Sequence, residues 1–425
     1  MRKVMIFWLS MILLHSQNLT YGKDAMEVII NENSSDPIVK SGIDVLLEKR
    51  LDLIRGKKLG LITNQTGFTS KLKSTIDALN ELPDVELVAL FGPEHGVRGD
   101  IQAGKTVPQY RDKKTGIMVY SIYGETRRPS PEMLKNIDIL LYDIQNFGLR
   151  AYTYISTMAY AMETARDANI PFIVLDRPNP MGGARVEGNV LDPEFRSFIG
   201  IYQIPYAYGM TVGELARLFN DHFKINCNLI VVPMEGWKRS MTYEDTGLLW
   251  IPISPHVPHA ETVFHIATIG GIGELGTVSE GVGTPTPFEI IGAPWVDGEL
   301  FAKELNSRNL PGVYFRTTYF RPYYHPHSPQ FVGKQCGGVH IHILDKSEYK
   351  PIVTQIHILT VLQKLYPDQN MFDTRRAKMF DKAFGTDEIR KAILRGDAAE
   401  KIIESWNDQL EQFKKIREKY LIYKK

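Results

Sequence analysis

Four apolar stretches in the first half of the chain each run straight into a short polar motif. Leu59–Ile62 leads into Thr63-Asn64-Gln65-Thr66-Gly67, and Leu87–Leu90 into Phe91-Gly92-Pro93-Glu94-His95-Gly96. Ile137–Tyr142 leads into Asp143-Ile144-Gln145-Asn146, and Pro171–Leu175 into Asp176-Arg177-Pro178-Asn179-Pro180. Short apolar runs bounded by Gly, Pro and Asn read as fully buried strands. Helical patterns lie between them, which points to a parallel sheet. In such a sheet the carboxyl ends of all strands share one edge, and ligands bind there. Polar motifs spread from position 63 to position 180 therefore converge on one site.

With 425 residues the chain is long enough for two domains. Residues 1–22 read as a secretory leader: Arg2 and Lys3 precede an apolar core, Val4–Leu14, that Ser10 interrupts. That core is short for a membrane span. No Cys follows it to carry a lipid, so an exported protein without a stable membrane anchor is expected; an uncleaved N-terminal anchor is the alternative. Residues 23–42 are polar and read as a linker. Residues 43–295 carry the α/β alternation, with helical patterns over 71–82, 131–135 and 154–168. Thr211-Val-Gly-Glu214 forms a capping box that opens a further helix. Residues 234–295 are rich in Gly, Pro and Trp, and a long stretch of this kind is usually functional. A second α/β pattern follows, with a domain boundary near 296, an alternating strand over 338–344 and helices over 351–365 and 400–420.

Charge and composition exclude several functions. The formal net charge is +1, and a leader would take Arg2 and Lys3 with it, so no strong electrostatic partner is implied. No basic stripe or zinc-finger spacing points to nucleic acid. Cys227 and Cys336 are expected to be buried free thiols. No His-Glu-x-x-His spacing occurs, although His340 and His342 would share one face of a strand. Ser254 lacks a nucleophile-elbow setting, and no dinucleotide fingerprint follows the first strand. Neither a metal nor an organic cofactor is expected for catalysis.

Glu94 is the foremost catalytic candidate. It follows Pro93 at the end of an apolar strand, between Gly92 and Gly96, where glycine permits a tight turn and close approach of a ligand. A carboxyl at the mouth of a buried strand suits a general acid, since partial burial favours the protonated form. A helix cap or a salt-bridged loop carboxylate is the alternative. Asp143 either supplies the second carboxylate of a glycosidase pair or bonds backbone amides at the strand end. Arg150, Tyr152 and Tyr154 follow at once; an arginine beside aromatics suits a ligand with a carboxylate and an apolar face, or else marks a solvated helix start. In Asp176–Pro180 two prolines hold Asn179 between them, giving a rigid binding loop or simply a turn.

Taken in order, these motifs resemble the exo-β-N-acetylmuramidases, the NamZ-type glycoside hydrolases. The matching pieces are Leu61–Gly67, Phe91–Gly96 with Arg98-Gly99, Tyr120–Gly124, Asp143–Gln145, Tyr152–Met158, Leu175–Pro180, Tyr208–Ala216, Pro287–Glu289 and Gly292–Pro294, within residues 45–423. The resemblance implies a Rossmann-like, largely parallel sheet flanked by helices, a smaller C-terminal α/β domain, and an active-site cleft between them. It implies release of N-acetylmuramic acid from the non-reducing end of peptidoglycan fragments, in the periplasm or outside the cell, alongside other peptidoglycan hydrolases. The family's catalytic carboxylate falls on Glu94, with His95 and Asp143 as further catalytic candidates. Substrate-binding candidates are Asn64, Gln65, Gln145, Arg150, Tyr152, Arg177, Asn179, Tyr208 and Glu280. The lactyl carboxylate of muramic acid suits a two-bond fork from Arg150 or Arg177, and the sugar face suits Tyr152 or Tyr208. The chain departs from many relatives at Asn146, where they carry Asp, and at Val282, where they carry Arg. A non-catalytic periplasmic binding protein for wall fragments and a metal-dependent amidase or deacetylase are the competing classes.

Overall fold

A computed structural model describes residues 38–101, 108–124, 126–324, 331–372 and 374–423. The expected leader, most of the linker, and His325 and His327 lie outside the described residues. The main sheet contains β1 (Lys58–Thr63), β2 (Glu86–Gly92), β3 (Tyr110–Arg111), β4 (Met118–Ser121), β5 (Ile139–Asp143) and β6 (Phe172–Leu175). A two-stranded antiparallel pair, β7 (Glu187–Val190) and β8 (Pro205–Ala207), precedes its last strand, β9 (Leu229–Val232). The strand order is β3-β4-β2-β1-β5-β6-β9, and every neighbour is parallel except β3 and β4 at the edge. From β1 the chain builds out through β2 and β4 on one side and through β5, β6 and β9 on the other. The order therefore reverses between β1 and β5, where Thr63 lies opposite Asp143. The crevice outside the carboxyl ends at such a reversal is the ligand site of open α/β sheets.

The strands alternate their side chains between two cores, as a pleated sheet covered on both faces must. Leu59 and Leu61 face Ile43 and Leu46 of α1 (Gly42–Lys49) and Ile76 and Leu79 of α2 (Thr75–Asn80). Ile62, Phe91 and Tyr142 face the other way, towards α4 (Tyr154–Asp167), which follows the short α3 (Pro131–Leu134). Ile155, Met158, Ala159, Met162 and Ala165 form the buried stripe of α4, on the period expected of an amphipathic helix. The capping box opens α5 (Val212–Asp221): Thr211 N–H donates to Glu214, and Glu214 N–H donates to the Thr211 hydroxyl.

A smaller antiparallel sheet lies in the C-terminal part, with β10 (Ile290–Ala293), β11 (Val313–Phe320) and β12 (Cys336–Ile343) in the order β10-β12-β11. Its buried residues Ile291, Phe315 and Val339 join the same apolar core as α4. Cys227 and Cys336 are buried free thiols. No helix among the described residues is long and apolar enough to cross a membrane.

Three local expectations change. The C-terminal end of the expected linker is packed into the fold: Val39 is fully buried, and Lys40 N–H donates to the Glu235 carbonyl. Gly42 then packs against the Asp176 backbone, where a Cβ would collide with Asp176 N. The glycine-rich 234–295 stretch contains a regular helix, α6 (Thr262–Gly273). The 400–420 pattern breaks into Ala399–Glu404 and Asn407–Arg417, because the chain turns at Ser405 and buries Trp406.

Candidate active site

The turn after β2 is tight. Gly96 N–H donates to the Pro93 carbonyl, and both His95 (φ 73°) and Gly96 (φ 72°) take left-handed backbone. A histidine there costs about 1–3 kcal/mol of strain and persists only where its surroundings enforce it. His95 is buried, and its Nδ1 lies 2.9 Å from the Ile101 carbonyl. Glu94, beside it, remains half-buried at the sheet edge.

Three tyrosines surround this carboxylate. The Tyr123 hydroxyl, just past β4, hydrogen-bonds Glu94; burial, then the charge of Glu94, hold it well above the ordinary range. Tyr152 and Tyr154 are also raised, first by burial, and both feel the charge of Glu94. Their rings meet edge-on with centroids 5.0 Å apart, and Phe147 closes on Tyr152 at 3.8 Å. A loop far along the chain completes the site. The Ser254 hydroxyl stands 3.4 Å from His95 Nε2, while the Tyr154 hydroxyl donates to the Ile253 carbonyl. Gln65 holds that loop, since its Nε2 donates to the carbonyls of Pro252 and Ile253 at 3.1 and 2.8 Å. Asn64 takes two bonds from Thr66 on its Oδ1 and sits beside the Tyr154 hydroxyl.

Several expected site residues have other work. Asp143 is fully buried between Arg177, whose Nε and Nη2 donate to its two oxygens at 2.5 and 2.9 Å, and the Thr75 hydroxyl. Burial alone would lower Arg177, but the charge and hydrogen bonds of Asp143 leave it above its ordinary value. Asp143 is thus half of a buried ion pair rather than a second catalytic carboxylate, and Arg177 is not open to a lactyl group. Arg150 is buried too. It donates to the carbonyls of Asn189, Ile204, Ala383 and Phe384, and burial lowers it to about 10. It ties β7 and β8 to the C-terminal helices instead of facing a ligand.

Tyr208 is buried in the core and offers no stacking face. Asn179 caps its own turn, accepting from Met181 N–H and donating to the Met210 carbonyl. Gln145 donates to the Pro178 carbonyl at 2.6 Å and staples the β5 end to that turn. Glu280 is buried against α6, where a Cβ on Gly273 would lie 2.9 Å from its carboxyl carbon. Of the expected residues, Glu94, His95, Asn64, Gln65 and Tyr152 come together. Tyr154, read from the sequence as an aromatic beside Arg150, joins them, as do Tyr123 and Ser254, which the sequence did not single out for the site. Tyr123 lies just past β4, a strand too short and too exposed to stand out as an apolar run.

His340 and His342 do share a face, with ring centroids 4.3 Å apart, but both bond Arg316. Among the described residues no group of three or more His, Cys, Asp or Glu is placed to hold a metal ion.

Known proteins are similar to this chain in sequence and in fold. The family described as exo-beta-N-acetylmuramidase NamZ matches with its N-terminal part over residues 59–261 and with its C-terminal part over 268–423. A peptidoglycan beta-N-acetylmuramidase NamZ of Bacillus subtilis (strain 168) is 48% identical over 393 residues, covering 92% of this chain and 93% of that protein. A crystal structure of a DUF1343 family protein from Bacteroides fragilis NCTC 9343 aligns with a TM-score of 0.86 at 45% identity, over 92% of this chain and 100% of that one. A second DUF1343 protein from the same organism gives 0.74 at 31% identity, over 91% and 99%. Matches of this extent, over both halves of the chain, make it a member of the NamZ exo-β-N-acetylmuramidase family.

Proposed function

We propose that this protein is an exo-acting glycoside hydrolase that releases N-acetylmuramic acid from the non-reducing end of peptidoglycan fragments, with Glu94 as general acid. The observation that carries the reading is the setting of Glu94. It is half-buried at the carboxyl edge of the sheet and ringed by Tyr123, Tyr152 and Tyr154, whereas Asp143 and Asp176 at neighbouring strand ends are fully buried and bonded within the protein. A protonated carboxyl there can protonate the leaving glycosidic oxygen. With Asp143 paired, attack on the sugar falls to water or to the acetamido oxygen of the substrate itself.

The lactyl carboxylate needs a cation other than Arg150 or Arg177. Arg127 fits. Its guanidinium lies over the Phe198 ring at 4.5 Å, its charge reaches Tyr123, and it has no carboxylate partner among the described residues. The test is product analysis on a short muramic-acid-terminated glycan, together with rates on a chromogenic muramide and a chromogenic glucosaminide. Release of muramic acid and a strong preference for the muramide are expected. Binding without turnover would favour a wall-fragment binding protein.

The Arg2-Lys3 n-region and the apolar Val4–Leu14 stretch support export to the periplasm or beyond, where other peptidoglycan hydrolases would supply such fragments. N-terminal sequencing of protein from a fractionated host decides this; cytoplasmic protein with Met1 intact contradicts it.

A further inference from the structure

We propose that Gln65 is a positioning residue of the glycosidase site, a strut between the Glu94 turn and the 252–254 loop, and not a sugar ligand. The inference rests on Glu94 as general acid and extends that reading to the end of β1.

The amide of Gln65 has no polar atom left for a substrate. Its Nε2 donates to the carbonyls of Pro252 and Ile253 at 3.1 and 2.8 Å, which uses both of its protons. Its Oε1 is sealed from solvent. The stem of the side chain lies against the loop that carries Glu94. A Cβ on Gly99 would stand 2.7, 2.8 and 2.9 Å from Gln65 Cβ, Cγ and Cδ, and Gly99 takes φ 78°, a backbone that glycine adopts freely. That loop is closed on itself. Gly96 N–H donates to the Pro93 carbonyl, Ile101 N–H donates to the His95 carbonyl, and His95 Nδ1 lies 2.9 Å from the Ile101 carbonyl. A displacement at Gly99 therefore passes to His95 and Glu94.

The far end of the strut returns to the same turn. Ser254 follows Ile253, and its hydroxyl lies 3.4 Å from His95 Nε2. Gln65, the 252–254 loop, His95 and Gly99 thus form a closed circuit beside the reacting carboxyl. The Tyr154 hydroxyl gives the Ile253 carbonyl a second donor at 3.3 Å, so removing the Gln65 amide loosens the loop without releasing it. Loosening is enough to matter, because a shift of about 1 Å at a reacting group costs up to about a hundredfold in rate.

Steady-state kinetics of the full-length protein on a chromogenic β-N-acetylmuramide test this, with Gln65→Met and Gln65→Glu and a melting temperature for each. Gln65→Met keeps the length of the side chain and removes both donors. It should lower kcat by about tenfold to a hundredfold, with KM within about threefold. Gln65→Glu points a carboxyl at two carbonyl oxygens. The ionised form cannot donate, the setting favours the protonated form, and that form supplies one O–H. Its rate relative to wild type should therefore rise as the pH is lowered from about 7 to about 5, while that of Gln65→Met stays flat. A wild-type kcat in folded Gln65→Met overturns the proposal. So does a raised KM at unchanged kcat, which would make Gln65 a sugar ligand. A Gln65→Glu ratio that does not change with pH overturns it as well, and that comparison holds whether or not Gln65→Met folds. A wild type without turnover, or Glu94→Gln as fast as wild type, would instead remove the reading on which the proposal rests.

Discussion

Arg177 grips Asp143 in a two-bond fork, Nε to Oδ1 at 2.5 Å and Nη2 to Oδ2 at 2.9 Å, with both side chains sealed from solvent. The pair crosses from the end of β6 to the end of β5, so it fixes two strand ends against each other. Asp143→Asn should leave the guanidinium buried without its counter-charge and destabilise the protein by about 3–5 kcal/mol. Denaturant unfolding measures this. A variant as stable as wild type but inactive would return Asp143 to the chemistry.

Arg150 makes a parallel case. Arg150→Ala should take one donor from each of the carbonyls of Asn189, Ile204 and Phe384 and lower the melting temperature. The folded fraction should keep the wild-type KM for a muramide. A raised KM with unchanged stability would restore the lactyl role.

Arg127 should carry the selectivity instead. Arg127→Ala is expected to raise KM for a muramide about tenfold or more, the scale of a lost charge-assisted bond, while leaving a glucosaminide, which has no lactyl group, unaffected. Equal effects on both substrates would contradict this.

The pair Arg98 and Asp112 gives a pH dependence of stability. Hydrogen bonds from Arg98 are the largest influence and hold Asp112 at about 2, below its ordinary 3.8. A carboxyl lowered by folding contributes stability that is present above its unfolded value and lost as pH falls through its folded one. The stability gap between wild type and Asp112→Asn should therefore be full at neutral pH and shrink as the pH falls from about 4 to about 2. A gap constant across that range would mean that the ion pair contributes nothing.

The sheet was legible because its strands are buried on both faces and read as continuous apolar runs ending in Gly, Pro and Asn. Glu94 was legible for the same reason: a carboxyl directly after such a run has few places to go. What hid the rest was the third dimension. Gly271 and Gly273 look like helix breakers, yet they let Tyr206 and Glu280 pack closely against α6. Arg150 and Arg177 look like ligand cations, because sequence does not show which carbonyls or carboxylates the fold will bring to them. Ser254 is separated from His95 by more of the chain than any local pattern spans, and the bonds of Gln65 and Tyr154 to the preceding carbonyls place it.

Turnover of a chromogenic β-N-acetylmuramide by Glu94→Gln, in protein shown by its melting temperature to be folded, tests the assignment of Glu94 most directly. Glutamine keeps the shape and loses the proton, so kcat should fall by about two decades or more, the contribution of a general acid. Near-wild-type turnover in the folded variant would contradict the mechanism and move the reacting group elsewhere on the sheet edge.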